Sequence, residues 1–508
     1  MTTRRSRQIL ALICVVAVAC RAPLLWGDFI DFDDSILIYE NRVITHLTWP
    51  HVWEVLTTNF RGENQNPMHL ANMVNFSVGR GAYWTFALAN LAWFSATIAV
   101  VYGFARLFLT DRRWALLAAA IFALHSTNVD GLGWMSARCH LMGVPFALGA
   151  FVLWHRYLLA SDRWRWIWFV AANIAVGVAL WNKMIFVGVI PGLLAYEVFI
   201  RRRVDRWLFV DKLPLAVVLL GFASTPLQAQ GRAISGEQLA TSFWTRIGLV
   251  VEYLVSAVVP RPTFLAAWFT ATTGPFEPGH GLITSALPPV FNLAVLVVFS
   301  GLLLWLWQAG IRAPLFLGGL AVLVLAPSMG VRPGSPDVAF AFRYMWVPTA
   351  CFGVGVASLL SEFWDRLSRL PRAGIVAVVS LVLVAHMIQS VQQAAVWRSP
   401  EAQYAQCVVH FPISTVCHQR LADLAELEGR PDQALAYLLE IERVRTQYSF
   451  RRSVRSADSL SRMYAERGDL ELALFFAERA LVRDALSVQD RRALKVRRQE
   501  LQRSSRPR

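Results

Sequence analysis

The sequence contains only three lysines, Lys183, Lys212 and Lys495, and charged residues make up only 16% of its 508 residues. It also lacks a glycine-rich phosphate loop and the GxSxG, CxxC and HExxH motifs, so it gives no support to the enzyme classes that depend on them. The net charge of +15 comes almost wholly from arginine. Because the arginines are distributed between apolar segments, we interpret this charge as a sign of membrane topology and not of nucleic acid binding.

Long apolar runs dominate the chain. Hydrophobic residues account for 56% of the sequence and aromatic residues for 12%, which indicates an integral membrane protein. A secretory signal peptide would also begin with basic residues, but the first run is long, carries Arg21 near its far end and is not followed by a small-residue cleavage site. We therefore expect a retained first span with the N-terminus inside.

The apolar runs predict an all-α, polytopic membrane helical bundle with about 11 spans. Their approximate ranges are 8–26, 83–109, 114–126, 139–159, 166–181, 184–200, 213–229, 287–309, 313–328, 343–361 and 373–392. The arginine clusters between the spans all fall on one side, which the positive-inside rule makes cytoplasmic. Counting residues 245–260 as a further span would move the last cluster outside, so we expect an interfacial or re-entrant helix there, on the outer face.

Two parts of the chain differ from the spans. Residues 41–82 contain too many polar side chains to cross hydrocarbon, so we expect interfacial helices within an outer-face loop at 27–82. From about residue 394 charged helix formers replace the apolar runs, which predicts a membrane domain at 1–393 and a small soluble helical domain at 394–508. The spacing of Gly and Ala there favours tetratricopeptide-like helix pairs, with a plain helical hairpin as the alternative.

Two cysteines of the polar C-terminal region flank a proline. Cys407 and Cys417 lie on either side of Phe411-Pro412, where the chain is expected to turn. In an oxidising compartment, two antiparallel helices at such a turn could come close enough for a disulfide. The alternative is that both cysteines are buried thiols packed between helices.

Four carboxylates follow the first span directly. Asp28, Asp31, Asp33 and Asp34 lie within the stretch 28–34, at a membrane surface where charge is costly. A lone aspartate here would indicate only a polar loop at the lipid headgroups. Four together are more typical of a metal site, a proton relay or a general base.

The predicted topology places the other unusual polar groups on the same outer face. A mixture of acids with arginine, lysine and histidine suits a site that holds a phosphate while a carboxylate handles a hydroxyl proton or a metal. Taken singly, such residues are also typical of snorkelling span ends, turns and interfacial positions. The groups are His125, Asn128, Asp130, Arg138, His140, Asn182, Lys183, Arg246, Glu252, Arg261, Arg332, Asp337, Arg343 and Tyr344.

Six motifs occur in a fixed order along the chain and precede the C-terminal repeats. They are DFIDFDDSILIYEN, NPMHLANMVN, FALHSTNVDGLGWMSAR, WNKM, RIGLVVEYLVSAVVP and FRYMWVPT. In this order they resemble the TMTC-like (transmembrane and tetratricopeptide repeat) glycosyltransferases of the GT-C superfamily, over nearly the whole chain. The resemblance implies a GT-C-like fold and the transfer of a sugar from a polyprenyl-phosphate carrier to an acceptor hydroxyl on the extracytoplasmic face.

The resemblance also implies roles for individual residues. It puts Asp33 and Asp34 at the catalytic centre, Asp130 where such proteins often have glutamate, and Arg343-Tyr344 near the carrier phosphate. We predict that Asp34 first and Asp33 second act as general base or as ligands of a divalent cation, Mg or Mn, with Asp130 next in line. The predicted phosphate ligands are Arg138, Lys183, Arg343 and Tyr344, and the accessory residues are His125, His140 and Asp31.

The chain departs from the family pattern at two places. It has His140 where an acid is common, and Asn182-Lys183-Met184 where Ser-Lys-Glu is common. The expected partners are a polyprenyl-phosphate-linked sugar and an acceptor protein, lipid or glycan, at the inner (cytoplasmic) membrane with the C-terminal domain outside. Two other functions stay open, namely a membrane transporter that uses the acids as ion ligands and a non-catalytic scaffold that recruits periplasmic partners through its repeats.

Overall fold

The computed structural model is predominantly helical in the part of the chain that it describes. It describes residues 2–30, 33–58, 65–205, 207–229, 250–260, 289–329, 341–410, 412, 414–447, 454–481 and 488–504. Within these residues there is no β-strand, so the expected all-α class is confirmed for the described part of the chain. The chain divides into two compact units, of which the first holds the described residues up to Pro400 and the second those from Glu401 onward.

The described residues form α-helices and several tighter or wider helical turns. The longer and shorter α-helices are α1 (Thr3–Ala19), α2 (Trp49–Thr57), α3 (Asn66–Gly79), α4 (Tyr83–Ala105), α5 (Arg112–Leu124), α6 (Asp130–Gly133), α7 (Arg138–Leu159), α8 (Trp164–Asn182), α9 (Val189–Ala195), α10 (Trp207–Val210), α11 (Leu213–Ala229), α12 (Pro289–Gln308), α13 (Arg312–Met329), α14 (Trp346–Phe363), α15 (Arg369–Val396), α16 (Pro400–His410), α17 (Thr415–Leu427), α18 (Pro431–Gln447), α19 (Val454–Glu466), α20 (Leu470–Leu481) and α21 (Val488–Ser504). Tighter or wider helical turns lie at Ala22–Trp26, Ser35–Tyr39, Ser126–Val129, Met135–Ala137, Met184–Gly188, Tyr196–Ile200, Phe342–Tyr344 and Trp364–Arg366. Residues 250–256 are also helical.

Several of these helices can cross a membrane. Among the described residues, 5 helices are long and apolar enough, or 6 if α5 and the stretch Ser126–Gly133 form one span with a bend of 54°. The five are Tyr83–Ala105, Met135–Leu159, Trp164–Asn182, Trp346–Arg366 and Arg369–Val396, and shorter apolar helices occur at Met184–Ile200, Leu293–Gln308 and Arg312–Ser328. The chain is therefore a multi-pass membrane protein, and the number of eleven spans stays a prediction.

Two glycines allow the turn after α8 to pack tightly. A Cβ on Gly143 of α7 would lie 2.1 Å from the ring of Phe186, and a Cβ on Gly188 would lie 2.2 Å from the carbonyl oxygen of Leu323 in α13. Only glycine fits such close approaches without a shift of the neighbouring helix. They fix the Met184–Gly188 turn, and with it the position of Lys183, against α7 and α13.

The helices of the outer loop differ from each other in their packing. Helix α2 keeps an apolar face exposed, with Trp49 73% and Trp53 59% accessible, which fits an interfacial position. Helix α3 is instead packed into the bundle, where Met68 contacts Cys139 and Met142 of α7. The interfacial interpretation therefore suits α2, whereas α3 forms part of the wall beside the first turns of α7.

A compact ion network lies at the loop after α9, on the side predicted to be cytoplasmic. The buried carboxylate of Glu197 accepts from Arg203 at 2.7 Å, from the indole N–H of Trp154 at 2.9 Å, and from Lys212. Asp211 pairs with Lys212 at 2.7 Å and with Arg203 at 3.2 Å. Because each buried acid has a cationic partner, this network joins α7 to the segments around α10 without needing a ligand.

The second unit consists of antiparallel helix pairs. Gly429 and Gly468 follow α17 and α19 with φ values of 70° and 80°, the left-handed conformation that commonly ends a helix. Small and medium apolar side chains fill the space between the pairs, namely Ala422, Ala425, Ala434, Leu438, Ile441, Leu460, Met463 and Phe476. Such pairs are compatible with the expected repeats, and the tetratricopeptide assignment stays a prediction.

The disulfide expected in this unit is present. Cys407 of α16 and Cys417 of α17 are bonded, with their Cα atoms 6.3 Å apart. Both residues are buried, so the bridge fastens α16 to α17 from inside their interface. The predicted disulfide is therefore confirmed, and the alternative of two free thiols does not apply.

Candidate functional site

Asp34 is fully buried and fixed by three hydrogen bonds. One carboxylate oxygen accepts from the backbone N–H of Ile30 at 3.0 Å. The other accepts from the backbone N–H of Ser136 at 2.8 Å and from the Ser136 hydroxyl at 2.5 Å. These bonds attach the acidic loop to the Met135–Ala137 turn, which lies about a hundred residues further along the chain. Asp34 therefore joins two segments that the sequence keeps far apart.

The surroundings of Asp34 oppose its ionisation. Burial raises the pKa of Asp34 to about 7, while the hydrogen bonds from Ser136 and Ile30 act in the opposite direction and the neighbouring Asp33 adds to the rise. Asp33, by contrast, is a partly exposed residue. The two adjacent acids thus differ in kind, because one is a buried anchor and the other reaches the surface of the same loop.

Asp130 connects the second outer loop to the turn before α14. Its Oδ2 accepts from the backbone N–H of Arg343 at 2.8 Å, although the two residues are 213 positions apart. Its Oδ1 is buried and has no hydrogen-bond partner among the described residues. An unsatisfied buried carboxylate oxygen is costly, so it indicates a site where a ligand, a proton or an ordered water is expected.

The Arg343 side chain lies among aromatic rings. Its guanidinium carbon is 4.7 Å from the ring centre of Trp134 and 5.2 Å from that of Tyr344. Tyr344 in turn meets His140 edge to face, with ring centres 5.2 Å apart. These contacts hold a cation over two π-faces, which favours the charged guanidinium in a partly desolvated setting.

A small cavity brings several of the predicted residues together. Its volume is about 10 Å³, and it is lined by His140, Ile185, Phe186, Val324, Arg343, Tyr344, Trp346 and Val347. The indole N–H of Trp346 is buried without a partner in the described part of the chain. This N–H is a donor and Asp130 Oδ1 is an acceptor, so the neighbourhood leaves one group of each kind for a ligand.

Arg138 is a fully buried cation held by amides. Its Nη1 donates to Asn72 Oδ1 of α3 at 2.8 Å. Asn75, with its amide oxygen turned to the guanidinium, accepts from Nη1 at 2.7 Å and from Nη2 at 3.0 Å. Its Nε has no partner, and no carboxylate among the described residues pairs with it. A buried guanidinium with neutral partners is a candidate for binding an anion.

The remaining predicted residues fall into three groups. Lys183 follows α8 and lies directly before the turn that supplies Ile185 and Phe186 to the cavity. His125 lies apart from the cavity, since its ring contacts His386 of α15 with centroids 4.1 Å apart. Outside the described residues lie Asp31, Arg246, Arg261, Arg332 and Asp337.

A divalent cation finds few ligands in this arrangement. Within the described residues no group of three or more His, Cys, Asp or Glu side chains is placed to hold a metal. The buried Asp34 oxygens face N–H and O–H donors, which are unsuitable neighbours for a cation. Asp33 is then the one predicted metal ligand left among the described residues, and the Mg or Mn ion stays a prediction.

Several residues that build the site carry no signal in the sequence. Ser136 holds Asp34, Asn72 and Asn75 hold Arg138, and Trp134 supports Arg343. Serine, asparagine and tryptophan are common near membrane surfaces, so composition does not distinguish these positions. The nearest signal is their neighbourhood, because Trp134 and Ser136 lie between Asp130 and Arg138 in the same motif.

Comparisons with known proteins give structural neighbours only. No protein-family model matches the sequence, and no curated protein matches it. Among solved structures, the chain is similar to the Archaeoglobus fulgidus oligosaccharyltransferase in its apo form, with 16% identity and a TM-score of 0.47 over 80% of this chain and 58% of that one. A second structure of that enzyme, with Zn and sulfate, gives 15% identity and a TM-score of 0.40 over 76% and 53%.

A third structural neighbour is ArnT from Cupriavidus metallidurans bound to undecaprenyl phosphate. Its identity is 17% and its TM-score 0.39, over 96% of this chain and 82% of that one. This chain spans little more than half the length of the oligosaccharyltransferase, at 58% and 53%. Because all three TM-scores lie below 0.5, no residue role is transferred from these proteins.

Proposed function

We propose that the chain is a membrane glycosyltransferase of the GT-C type, which transfers a sugar from a polyprenyl-phosphate donor to an acceptor hydroxyl on the extracytoplasmic face. The observation that carries the proposal is that hydrogen bonds join charged segments that lie far apart in the sequence. The first-loop acid Asp34 is bonded to Ser136, and two residues further on Arg138 begins α7. Asp130, in the same stretch, is bonded to Arg343. The collinear motifs supply the reaction class, since they resemble the TMTC-like members of that superfamily.

The two adjacent acids take different roles in this proposal. Every hydrogen bond of the Asp34 carboxylate serves to hold the loop, and the side chain has no exposed surface. Asp33 lies next to it and is partly exposed. A general base has to reach the hydroxyl that it deprotonates, so we assign the proton to Asp33 and the anchoring to Asp34. This reverses the order that the sequence alone suggests.

The arginines bind the phosphate of the donor in this proposal. Arg343 is bonded to the first residue of the stretch 130–138, and Arg138 is its last residue. Tyr344 and His140 line the cavity next to Arg343. The donor phosphate is anionic, so guanidinium and phenol donors bind it by charge-assisted hydrogen bonds in the ground state as well as in the transition state. Direct attack of the acceptor oxygen on the sugar would invert its anomeric configuration.

The compartment of the second unit is part of the same proposal. The disulfide between Cys407 and Cys417 is of a kind that persists in oxidising compartments. This supports an extracytoplasmic C-terminal domain, a cytoplasmic N-terminus and an odd number of spans. Helix pairs of the tetratricopeptide type would there recruit an acceptor protein, lipid or glycan.

The test is a donor panel with purified protein. Radiolabelled polyprenyl-phosphate sugars are incubated one at a time with the unaltered chain and a mixture of hydroxyl acceptors, and consumption of the carrier is measured. We expect one carrier to be consumed by the unaltered protein and none by Asp33→Asn. Consumption at equal rates by the Asp33→Asn and unaltered proteins would move the base elsewhere. A full panel with no carrier consumed, in protein that remains folded, would contradict the enzyme assignment and leave the transporter or scaffold functions.

A further inference from the structure

Arg21 lies near the far end of the first apolar run and is fully buried where several helices end. Its Nη1 donates to the carbonyl oxygen of Ala17, in the last turn of α1, at 3.0 Å. Its Nη2 donates to the carbonyl oxygen of His125, directly after α5, at 2.8 Å, and to the hydroxyl of Ser390 at 3.3 Å. Ser390 also donates to the carbonyl oxygen of Leu124 at 3.2 Å. The guanidinium therefore joins α1, α5 and α15 at one point.

A third helix ends beside the same cluster, which we define as Arg21, His125, His386 and Ser390. His125 donates from Nε2 to the carbonyl oxygen of Ala257, just after the helical residues 250–256, at 3.1 Å. His386, whose ring lies against that of His125, bonds the backbone of Val258. The C-termini of α1, α5 and the 250–256 helix thus converge on one arginine and two histidines.

Helix ends supply the counter-charge of this arginine. The last carbonyl groups of a helix lack partners within it, and its C-terminus carries roughly half a negative charge. The polar partners of Arg21 among the described residues are two carbonyls and a hydroxyl, and its guanidinium lies 4.7 Å from the ring centre of Phe94. A shorter or neutral side chain could not bond both carbonyls at once, and the His125 carbonyl would keep only the backbone N–H of Asn128, at 3.4 Å.

The cluster determines how α5 is continued. The chain bends by 54° after α5, and the Ser126–Val129 turn leads directly into Asp130. His386 Nδ1 lies 3.1 Å from the hydroxyl of Ser126, and the hydroxyls of Thr127 and Thr349 are 3.5 Å apart. The turn that leads to Asp130 is therefore held between α14 and α15, and Arg21 bonds the end of α5 to α15 directly before it.

We propose that Arg21 is a positioning residue that caps the C-termini of α1 and α5 together and so directs Asp130 toward the turn at Arg343. Arg21 does not line the cavity, and it meets the predicted site residues only at the backbone carbonyl of His125, so it acts through the helix ends. The effect on sugar transfer rests on the proposed function, whereas the effect on the geometry of residues 125–130 does not.

The geometric part is tested by cross-linking, which needs no activity. Thr127→Cys and Thr349→Cys are introduced together with Cys351→Ala, and the oxidised fraction is measured in protein that elutes as a single folded species. We expect efficient cross-linking with Arg21 present and a several-fold lower rate with Arg21→Gln. The matched control is Arg42→Gln, which removes the same charge from an exposed position and leaves the rate unchanged.

Arg21→Lys provides a second variant in case Arg21→Gln does not fold. Lysine keeps the charge, but a single ammonium group is less able to bridge both helix ends. We expect an intermediate cross-linking rate in Arg21→Lys. Turnover should fall at least tenfold in Arg21→Gln and less in Arg21→Lys, while the donor KM of both variants stays within twofold of the unaltered value. Unchanged cross-linking and turnover in Arg21→Lys would overturn the proposal. If the unaltered protein transfers no sugar, the proposed function fails while the cross-linking result still decides the geometry.

Discussion

Replacing Asp34 by asparagine separates anchoring from catalysis. The carboxylate accepts from Ile30 through one oxygen and twice from Ser136 through the other. An amide has only one oxygen, so either the N–H of Ile30 or that of Ser136 then faces another donor. A buried donor left without an acceptor costs about 1–3 kcal/mol. Asp33→Asn, the matched control one residue away, removes a partly exposed carboxylate and is expected to keep its stability while it loses sugar transfer.

The dependence of this loss on pH follows from the raised pKa of Asp34. Since burial raises that pKa from 3.8 to about 7, the folded protein holds a proton that the unfolded chain releases between these values. The stability of the unaltered protein therefore falls as pH rises from about 4 to about 7, by a free energy on the order of 4 kcal/mol at about 1.4 kcal/mol per unit of pKa. The asparagine side chain of the Asp34→Asn variant does not ionise, so that variant escapes this fall.

The assay is thermal unfolding in detergent, followed by tryptophan fluorescence at pH 5 and at pH 8. We expect Asp34→Asn to melt clearly below the unaltered protein at pH 5, and this difference to shrink or reverse at pH 8. A difference that grows with pH would show that the ionised carboxylate is the favoured form, and would refute the reasoning. Melting of Asp33→Asn should follow the unaltered protein at both pH values.

Three further predictions concern other parts of the chain. In steady-state kinetics, Arg138→Gln should raise the donor KM by roughly 10-fold or more with a smaller effect on turnover, because a charge-assisted hydrogen bond contributes about 1.5–3 kcal/mol. Asn72→Ala removes one acceptor of that arginine and should raise the donor KM by a smaller factor. An unchanged KM in both variants would mean that Arg138 has only a structural role. Asp130→Asn should melt like the unaltered protein, since its amide oxygen can still accept the backbone N–H, whereas Asp130→Ala should lose about 1–3 kcal/mol, and equal melting of the two would contradict the contact. Thiol labelling of the denatured, unreduced protein should find Cys407 and Cys417 blocked until a reductant is added, and immediate labelling of both would contradict the disulfide.

The fold was predictable from the sequence where a local pattern determines it. Apolar runs of membrane length predict spans such as Tyr83–Ala105 and Arg369–Val396. The domain boundary near residue 394 stays a prediction. Packing was less predictable, because it depends on contacts between distant segments. Helix α3 contains enough polar residues to suggest a surface position, but the structure turns its asparagines toward a buried arginine. Polarity alone does not distinguish solvent from a buried polar partner.

The site shows the same division. The sequence singles out Asp34, Asp130, Arg138 and Arg343 by residue type, and the structure connects Asp34 and Asp130 with segments that carry the other two. The sequence does not reveal which carboxylate oxygens are occupied, so it ranks the buried Asp34 above Asp33. We propose the reverse order because Ser136, a residue without any chemical signature of its own, occupies one oxygen of the buried Asp34.

The two ends of the membrane unit satisfy their buried charges by different means. In the network after α9, Glu197 is paired with Arg203 and Lys212, so acid and base neutralise each other. At the other end, Asp34 is held by N–H and O–H donors, and Arg138 by asparagine amides. Neutral amides hold the guanidinium of Arg138 in place without cancelling its charge, so it continues to attract an anionic ligand. The variant Asn72→Asp places a carboxylate beside Arg138 in place of a neutral amide. It should therefore keep or raise the melting temperature, while it weakens donor binding. Stronger donor binding in Asn72→Asp would show that Arg138 does not face the phosphate.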